Sequence, residues 1–364
     1  MRINVTKTYL PPFEEYTAML KRAWDNVWIT NNGELVQELE HKLKTYLGVQ
    51  HLMFCNNGTV VLQMALKALG IKGEVITTPF SYVATTNAIL WEGCKPVFVD
   101  IDPQTFCIDA SKIEAAITPQ TEAIMATHVY GFACDVVAIE AIAARHNLKV
   151  IYDAAHAFGC VVNGKSLFEY GDISTCSFHA TKLFHSGEGG CIVCNDDELA
   201  RKLMLYRQFG HLGDDYYSIG INGKSSEFHA AMGLCMIDRV ADIISNRRER
   251  VEWYNEQIDF SRVMRPQAPE MDRYNYAYYP IVLESEAMLL QVRAALQEQD
   301  IIPRRYFYPS LNKLPFITDG TACPVSESIA LRVLALPLYY DLSREDIERI
   351  AGIVNSQTNV YANI

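Results

Sequence analysis

The chain has 364 residues, 49% of them hydrophobic and 21% charged, the make-up of an ordinary globular protein with room for a large and a small domain. Its net charge of −11 excludes the basic surface that a nucleic-acid partner needs, while leaving open a local basic pocket for a phosphate. There is no long uncharged apolar run to span a membrane, and residues 1–10 lack the layout of a signal peptide, so the cytoplasm is the expected location.

In chain order, residues 1–28 begin extended and turn helical through Pro11-Pro12, since proline suits a first helical turn. Leu35, Leu39, Leu43 and Leu47 recur every four residues and predict an amphipathic helix over 33–47. A strand–helix alternation follows: strand 51–55 and helix 60–69, strand 75–78 and helix 83–91, then strand 96–99. It continues with strand 123–129, helix 136–146 and strand 149–152, and two more strands are read at 174–178 and 191–194. These strands are apolar throughout rather than alternating, which fits an α/β fold with a parallel sheet covered by helices on both faces. A long helical stretch over about 227–254 ends in Arg247-Arg248-Glu249-Arg250. The domain division is drawn near there: a large α/β domain over 1–244 and a small α+β domain over 245–364. The small domain is read with a strand at 279–283 and helices at 285–298 and 343–355.

Ten cysteines are scattered from Cys55 to Cys323. In a reducing compartment they are mostly small buried hydrophobes. Cys191 and Cys194 have the C-x-x-C spacing, but a zinc or redox site would need a second pair or a suitable helix start. On a strand, residues three apart point to opposite faces, so no metal is expected.

The chemistry gathers at strand ends, where open α/β sheets bind ligands. Asn56-Asn57-Gly58-Thr59 joins a strand to a helix, so its glycine and the helix N-terminus suit a phosphate, although Asn57 or Thr59 as a plain cap explains the segment alone. Tyr82 offers a strand-end ring to stack on a planar ligand, or else a core aromatic. Asp153 follows a buried strand, where an acid is costly unless paired. A protonated pyridine nitrogen is one partner, and a helix cap is the plainer explanation. His156, three residues on, can bond the acid or a ring hydroxyl, or be a satisfied core histidine. Lys182 lies in Ser177-Phe178-His179-Ala180-Thr181-Lys182, just past a strand, where a sheltered lysine can lose its proton and form a Schiff base, though most lysines are simply exposed. Ser177 and Thr181 are placed to hydrogen-bond a phosphate. Each segment has its plainer explanation. Together they are the parts that pyridoxal 5'-phosphate requires.

The chain resembles the sugar aminotransferases of the DegT/DnrJ/EryC1/StrS type over nearly its whole length. The marks are Trp-Ile-Thr-Asn-Asn-Gly at 28–33, Asn-Gly-Thr at 57–59 and Asp-Ala-Ala-His-Ala at 153–157. Ser-Phe-His-Ala-Thr-Lys with Gly-Glu-Gly-Gly at 177–190 and Gly-Ile-Asn-Gly-Lys-Ser-Ser-Glu-Phe-His-Ala-Ala at 220–231 complete them. The resemblance implies the aspartate-aminotransferase fold (fold type I). It implies that Lys182 attaches pyridoxal phosphate and shuttles protons, that Asp153 pairs with the ring nitrogen, that His156 lies near the ring hydroxyl and that Tyr82 stacks on the ring. Gly58, Thr59 and Ser177 would hold the phosphate, with Asn222 reaching it from a neighbouring subunit, which implies a homodimer with shared active sites. Thr30, Glu188, Arg304 and Tyr308 would meet the substrate. The arginines of Arg304-Arg305-Tyr306-Phe307-Tyr308-Pro309 suit a carboxylate or a diphosphate, and solvated arginines of an entry loop explain them equally.

The implied reaction takes an amino group from L-glutamate and gives it to a nucleotide-linked keto-sugar. The His-Ala-Thr-Lys and Asp-Ala-Ala-His-Ala-Phe-Gly stretches are most similar to members that aminate dTDP-4-keto-6-deoxy-D-glucose at C-4 for O-antigen synthesis. Members acting at C-3 tend to read Tyr-Pro-Gly-Lys there. The branch that dehydrates sugars carries histidine in place of the lysine, which Lys182 argues against. A regulator that kept the fold would share the same motifs, as would an enzyme with an amino-acid or cyclitol acceptor, and a complete set of catalytic groups speaks against the regulator.

Overall fold

The computed structural model describes residues 2–318 and 320–359. Seven strands form the central sheet, in the order His51–Cys55, Gly190–Cys194, Ile173–Ser177, Lys149–Asp153, Thr121–Thr127, Glu74–Thr77, Lys95–Phe98. All run parallel except Gly190–Cys194, which is antiparallel to both its neighbours.

The continuous apolar runs are explained by the two faces. Leu52, Phe54, Ile124, Val150, Tyr152 and Cys191 point into one core, with the helices Glu34–Leu47, Val136–His146 and Glu227–Ile237. Met53, Cys55, Ala123, Ile151, Ile192 and Cys194 point into the other, with the helices Gly58–Leu69, Val83–Trp91 and Asp197–Arg207. Alternate residues thus meet apolar layers on both sides, and no polar face is needed. Cys191 and Cys194 fall on opposite faces, as their spacing requires.

The helix Phe13–Asp25 starts at Pro12. The leucine-spaced segment is the helix Glu34–Leu47, with all four leucines buried and Gly48 closing it at φ 68°. Where one long helix was expected over 227–254, there are two, Glu227–Ile237 and Val240–Gln257, with a break at Asp238 and Arg239. The helix Asp197–Arg207 was not read from the sequence; Asp196 caps it, its carboxylate accepting from Leu199 N at 2.7 Å.

A second core surrounds the antiparallel pair Tyr279–Val282 and Val333–Leu336, flanked by the helices Glu286–Glu298 and Arg344–Asn359. The helix Val240–Gln257 serves both cores, with Val240 and Ile243 in the first and Val251 and Tyr254 in the second. The expected division at 244/245 therefore falls inside one continuous helix. Its charged segment is no linker, because Arg247 and Arg250 are buried. The N-terminus also joins the second core: Ile3–Asn4 pairs in parallel with Ile301–Ile302, and Ile3 is buried there. Among the described residues, no helix is long and apolar enough to cross a membrane.

Candidate active site

The parallel strands end at one edge of the sheet, among them those that finish at Cys55, Thr127, Asp153 and Ser177. Gly190 begins its antiparallel strand there, opposite both Cys55 and Ser177. A cavity of about 320 Å³ opens at this edge. Gly58, Thr59, Tyr82, Asp153, His156, Ser177, Lys182, Glu188 and Arg304 all line it. Thr30, Asn222 and Tyr308 do not. The first two are exposed elsewhere on the single chain, and Tyr308 lies under the Arg305 guanidinium, 3.4 Å from its ring centre.

The helix Gly58–Leu69 points its N-terminus at the cavity. The plain cap is real: Asn57 Oδ1 accepts from Thr59 N at 3.0 Å and Val60 N at 2.9 Å. The positive end of the helix remains on the wall, with Gly58, Thr59 and Ser177 around it. A Cβ on Gly58 would lie 2.6 Å from Ser177 Cβ, so only glycine lets the helix start approach the neighbouring strand end.

Lys182 sits on a loop that closes on itself through Phe178 N to Gly189 O and Ala180 N to Gly187 O, both 2.8 Å. Gly190 is needed where the loop returns, because a Cβ there would meet the Asn57 backbone at 2.7 Å. Burial opposes the charge on Lys182. The Tyr278 hydroxyl, Asp153 and Cys176 outweigh it, and the ammonium is held above its ordinary pKa.

Asp153 is the last residue of its strand and 6% exposed. Burial raises its pKa, and the Thr85 hydroxyl, Ala155 N–H and Lys182 work against that rise. Thr85 Oγ1 donates to Oδ2 at 2.8 Å and Ala155 N to Oδ1 at 3.1 Å. The acid is therefore paired rather than stranded, and it is no helix cap.

His156 is buried, and its pKa is pushed well down by burial and by Lys182, so the ring is neutral. Its Nδ1 accepts from Tyr130 N at 3.2 Å, which puts the proton on Nε2 and makes that nitrogen a donor. Tyr130 makes this contact from the left-handed region, at φ 57°. The imidazole stacks on Phe307 at 5.6 Å, with Tyr278 at its edge.

Tyr82 is 60% exposed and lines the cavity, so it is not a core aromatic. The two adjacent arginines divide. Arg305 is a tie, donating to Glu286 Oε1 at 2.9 Å and Leu331 O at 3.1 Å. Arg304 faces the cavity near the Tyr306 ring. Sequence reasoning missed Ser81, Thr127, Tyr278, Tyr306 and Phe307 on the cavity wall. The aromatic run Tyr274-Asn275-Tyr276-Ala277-Tyr278-Tyr279 was the one visible signal for Tyr278. The 220–231 motif has a structural part too: buried Glu227 accepts from Leu35 N at 2.7 Å and Val36 N at 3.2 Å, capping a helix distant in sequence.

Comparison with known proteins agrees with this geometry. The sequence profile described as the DegT/DnrJ/EryC1/StrS aminotransferase family matches residues 13–355. A dTDP-4-amino-4,6-dideoxy-D-glucose transaminase of Shigella dysenteriae is 43% identical over 361 residues, covering 97% of this chain and 98% of the relative. An Escherichia coli protein of the same name is 39% identical, over 97% and 98%. The crystal structure of DesI in the presence of its TDP-sugar product is similar with a TM-score of 0.92 at 32% identity, covering 100% of this chain and 95% of that one.

Proposed function

This chain belongs to the DegT/DnrJ/EryC1/StrS aminotransferase family, and from that we propose a pyridoxal-phosphate-dependent transfer of the amino group of L-glutamate to dTDP-4-keto-6-deoxy-D-glucose. The product would be dTDP-4-amino-4,6-dideoxy-D-glucose, for use in O-antigen synthesis. The observation that carries the reading is the convergence of Lys182, Asp153 and His156 in one cavity, beside the helix start at Gly58.

The residues present fit the cofactor part by part. A buried carboxylate with a free face suits a protonated ring nitrogen, and a neutral imidazole with its proton on Nε2 suits a ring oxygen. A helix N-terminus with two flanking hydroxyls, Thr59 and Ser177, suits a phosphate. When bound, the cofactor supplies an electrophilic carbon and a ring that withdraws electrons. Lys182 is the residue to attach it, and its freed ε-nitrogen is then placed to carry a proton to and from the reacting carbon. Asp153 would favour a protonated ring nitrogen, His156 would offer its Nε2–H to a ring oxygen, and Tyr82 would offer its ring for stacking. Arg304 supplies a cation for a carboxylate or diphosphate, with Glu188 nearby for sugar hydroxyls.

We place Thr30 and Asn222 at a homodimer contact with shared sites. Asn56, the residue before the cavity-lining Asn57, donates from Nδ2 to Asn222 O at 3.2 Å. Around these residues, Trp24, Val27, Trp28, Ile29, Ile219 and Ile221 are exposed, an apolar surface that a second copy would cover. The ten cysteines are buried and unpaired, as suits a reducing cytoplasm.

The test is to incubate the loaded protein with L-glutamate and dTDP-4-keto-6-deoxy-D-glucose. Mass spectrometry is expected to show replacement of the keto oxygen by an amine, and NMR to place it at C-4. Turnover of a 3-keto isomer instead, or of no keto-sugar at all, contradicts the proposal.

A further inference from the structure

We propose that Thr127 and Ser81 are positioning residues for Asp153, acting through Thr85 as a one-way chain of hydroxyl hydrogen bonds that fixes the direction and charge of the carboxylate. The purpose of the chain rests on the transaminase reading above; its geometry does not.

Three elements meet here. Thr127 ends the strand Thr121–Thr127, and Asp153 ends the adjacent strand, directly opposite it in register. Ser81 lies just before the helix Val83–Trp91, and Thr85 is in that helix's first turn. Thr127 Oγ1 is 3.1 Å from Ser81 Oγ, Ser81 Oγ is 2.8 Å from Thr85 Oγ1, and Thr85 Oγ1 is 2.8 Å from Asp153 Oδ2. Thr127 and Ser81, on the cavity wall, are each only 2% exposed and Thr85 is fully buried, so these bonds are largely sheltered from solvent.

A hydroxyl has one proton to donate, and an ionised carboxylate only accepts. Thr85 must therefore donate to Asp153, which leaves its oxygen to accept from Ser81. Ser81 must in turn accept from Thr127. Every proton points toward the acid. If Asp153 were protonated and donated to Thr85, each link would reverse, and the Thr127 proton would have to leave Ser81 for another acceptor. The chain thus favours the anion, and bonds in series polarise one another, so the remote hydroxyls are felt at the carboxylate. The other titratable groups around Asp153 are Lys182, from the 177–190 loop, the Cys176 thiol on the neighbouring strand, His156 and Tyr278 on the same cavity wall, and His128, whose backbone N–H donates to Asp153 O at 3.1 Å. None takes part in the chain.

The test follows the Asp153 carboxyl carbon by NMR across pH in full-length protein, both cofactor-free and loaded with pyridoxal phosphate, with Asp153→Asn to assign the signal. Thr85→Val is expected to raise the Asp153 pKa by about one unit, the effect of one hydrogen bond to a charged group. Ser81→Ala and Thr127→Val are expected to raise it by roughly a few tenths of a unit each, in that order. Thr127→Ser, which keeps the hydroxyl, is expected to titrate as the parent does. If Ser81→Ala and Thr127→Val proteins with parental circular dichroism titrate like the parent, or if Thr127→Ser shifts as far as Thr127→Val, the chain ends at Thr85 and the proposal is overturned. Failure of the cofactor to bind would refute the transaminase reading alone, since the cofactor-free titration still decides this one.

Discussion

Tyr254 and Tyr279 stack at 4.4 Å in the second core, each hydroxyl bonded: Tyr254 to Pro337 O and Tyr279 to Asn255 Oδ1, both at 2.9 Å. Around them lie Leu289, Val292, Leu296, Ile350 and Val354, all buried. The cavity at the strand ends is built otherwise. Asp153, His156 and Lys182 bring ionisable groups into a sheltered space, where burial raises the acid's pKa and lowers the imidazole's. Sheltering such groups costs stability. The lesson is that the second core is organised for folding, while the cavity gives up folding energy to hold groups ready for a ligand. Substitutions in the two places should therefore fail in different ways.

The largest expected effect is at Lys182. Lys182→Ala should lower turnover by roughly 10⁴-fold or more while leaving the melting temperature near that of the parent, because an attachment group is lost and no packing is. A thermal melt beside an activity assay checks this; unfolding without a specific loss of turnover would break the contrast. The opposite outcome is expected at Leu296, which is fully buried on the helix Glu286–Glu298. Leu296→Ala should cost about 2–5 kcal/mol in urea unfolding, with kcat per folded molecule unchanged.

His128 sharpens the comparison through pH. It is fully buried, next in the chain to Thr127 of the cavity wall, and burial pushes its pKa down to about 3 from 6.5. The folded value lies below the unfolded one, so the unfolded chain takes up the proton first. The contribution to stability is complete above pH 6.5 and is lost as pH falls from there toward 3. Urea midpoints should drop by the equivalent of a few kcal/mol over that interval, and His128→Gln should flatten the slope. An equally steep slope in that variant would assign the effect to other groups.

The smallest effects separate two neighbours. Arg304→Ala should raise one substrate's KM by about tenfold with little change in stability, since it removes a cation from the cavity wall. Arg305→Ala should instead destabilise by about 1–3 kcal/mol and leave KM alone, because its guanidinium ties Glu286 and the Leu331 carbonyl. Matching phenotypes would mean that the division between them is wrong.

The same contrast explains what the sequence made legible. Strands buried on both faces read as unbroken apolar runs, and a charged residue at the end of such a run, Asp153 or Lys182, stands out. Ser81, Thr85 and Thr127 did not, because a serine or threonine near a helix start looks like ordinary turn chemistry and a threonine at a strand end looks like an ordinary strand residue. Their relation appears only when two strands and a helix meet. Tyr278 reaches the cavity from the edge of the second sheet, so no local pattern ties it to Lys182. The charged run at 247–250, near which the domain division was drawn, belongs to the continuous helix Val240–Gln257, where Arg247 is buried and donates to Ala277 O at 3.1 Å. Thr30 and Asn222 were singled out by resemblance; on the single chain both are exposed and neither lines the cavity.

The most direct test of the central claim is borohydride reduction of the purified, pyridoxal-phosphate-treated protein, followed by peptide mapping. One stoichiometric pyridoxyl-phosphate adduct is expected on the peptide containing Lys182, together with loss of a visible absorption band. An unmodified Lys182 peptide, or adducts spread over other lysines at equal occupancy, would contradict it.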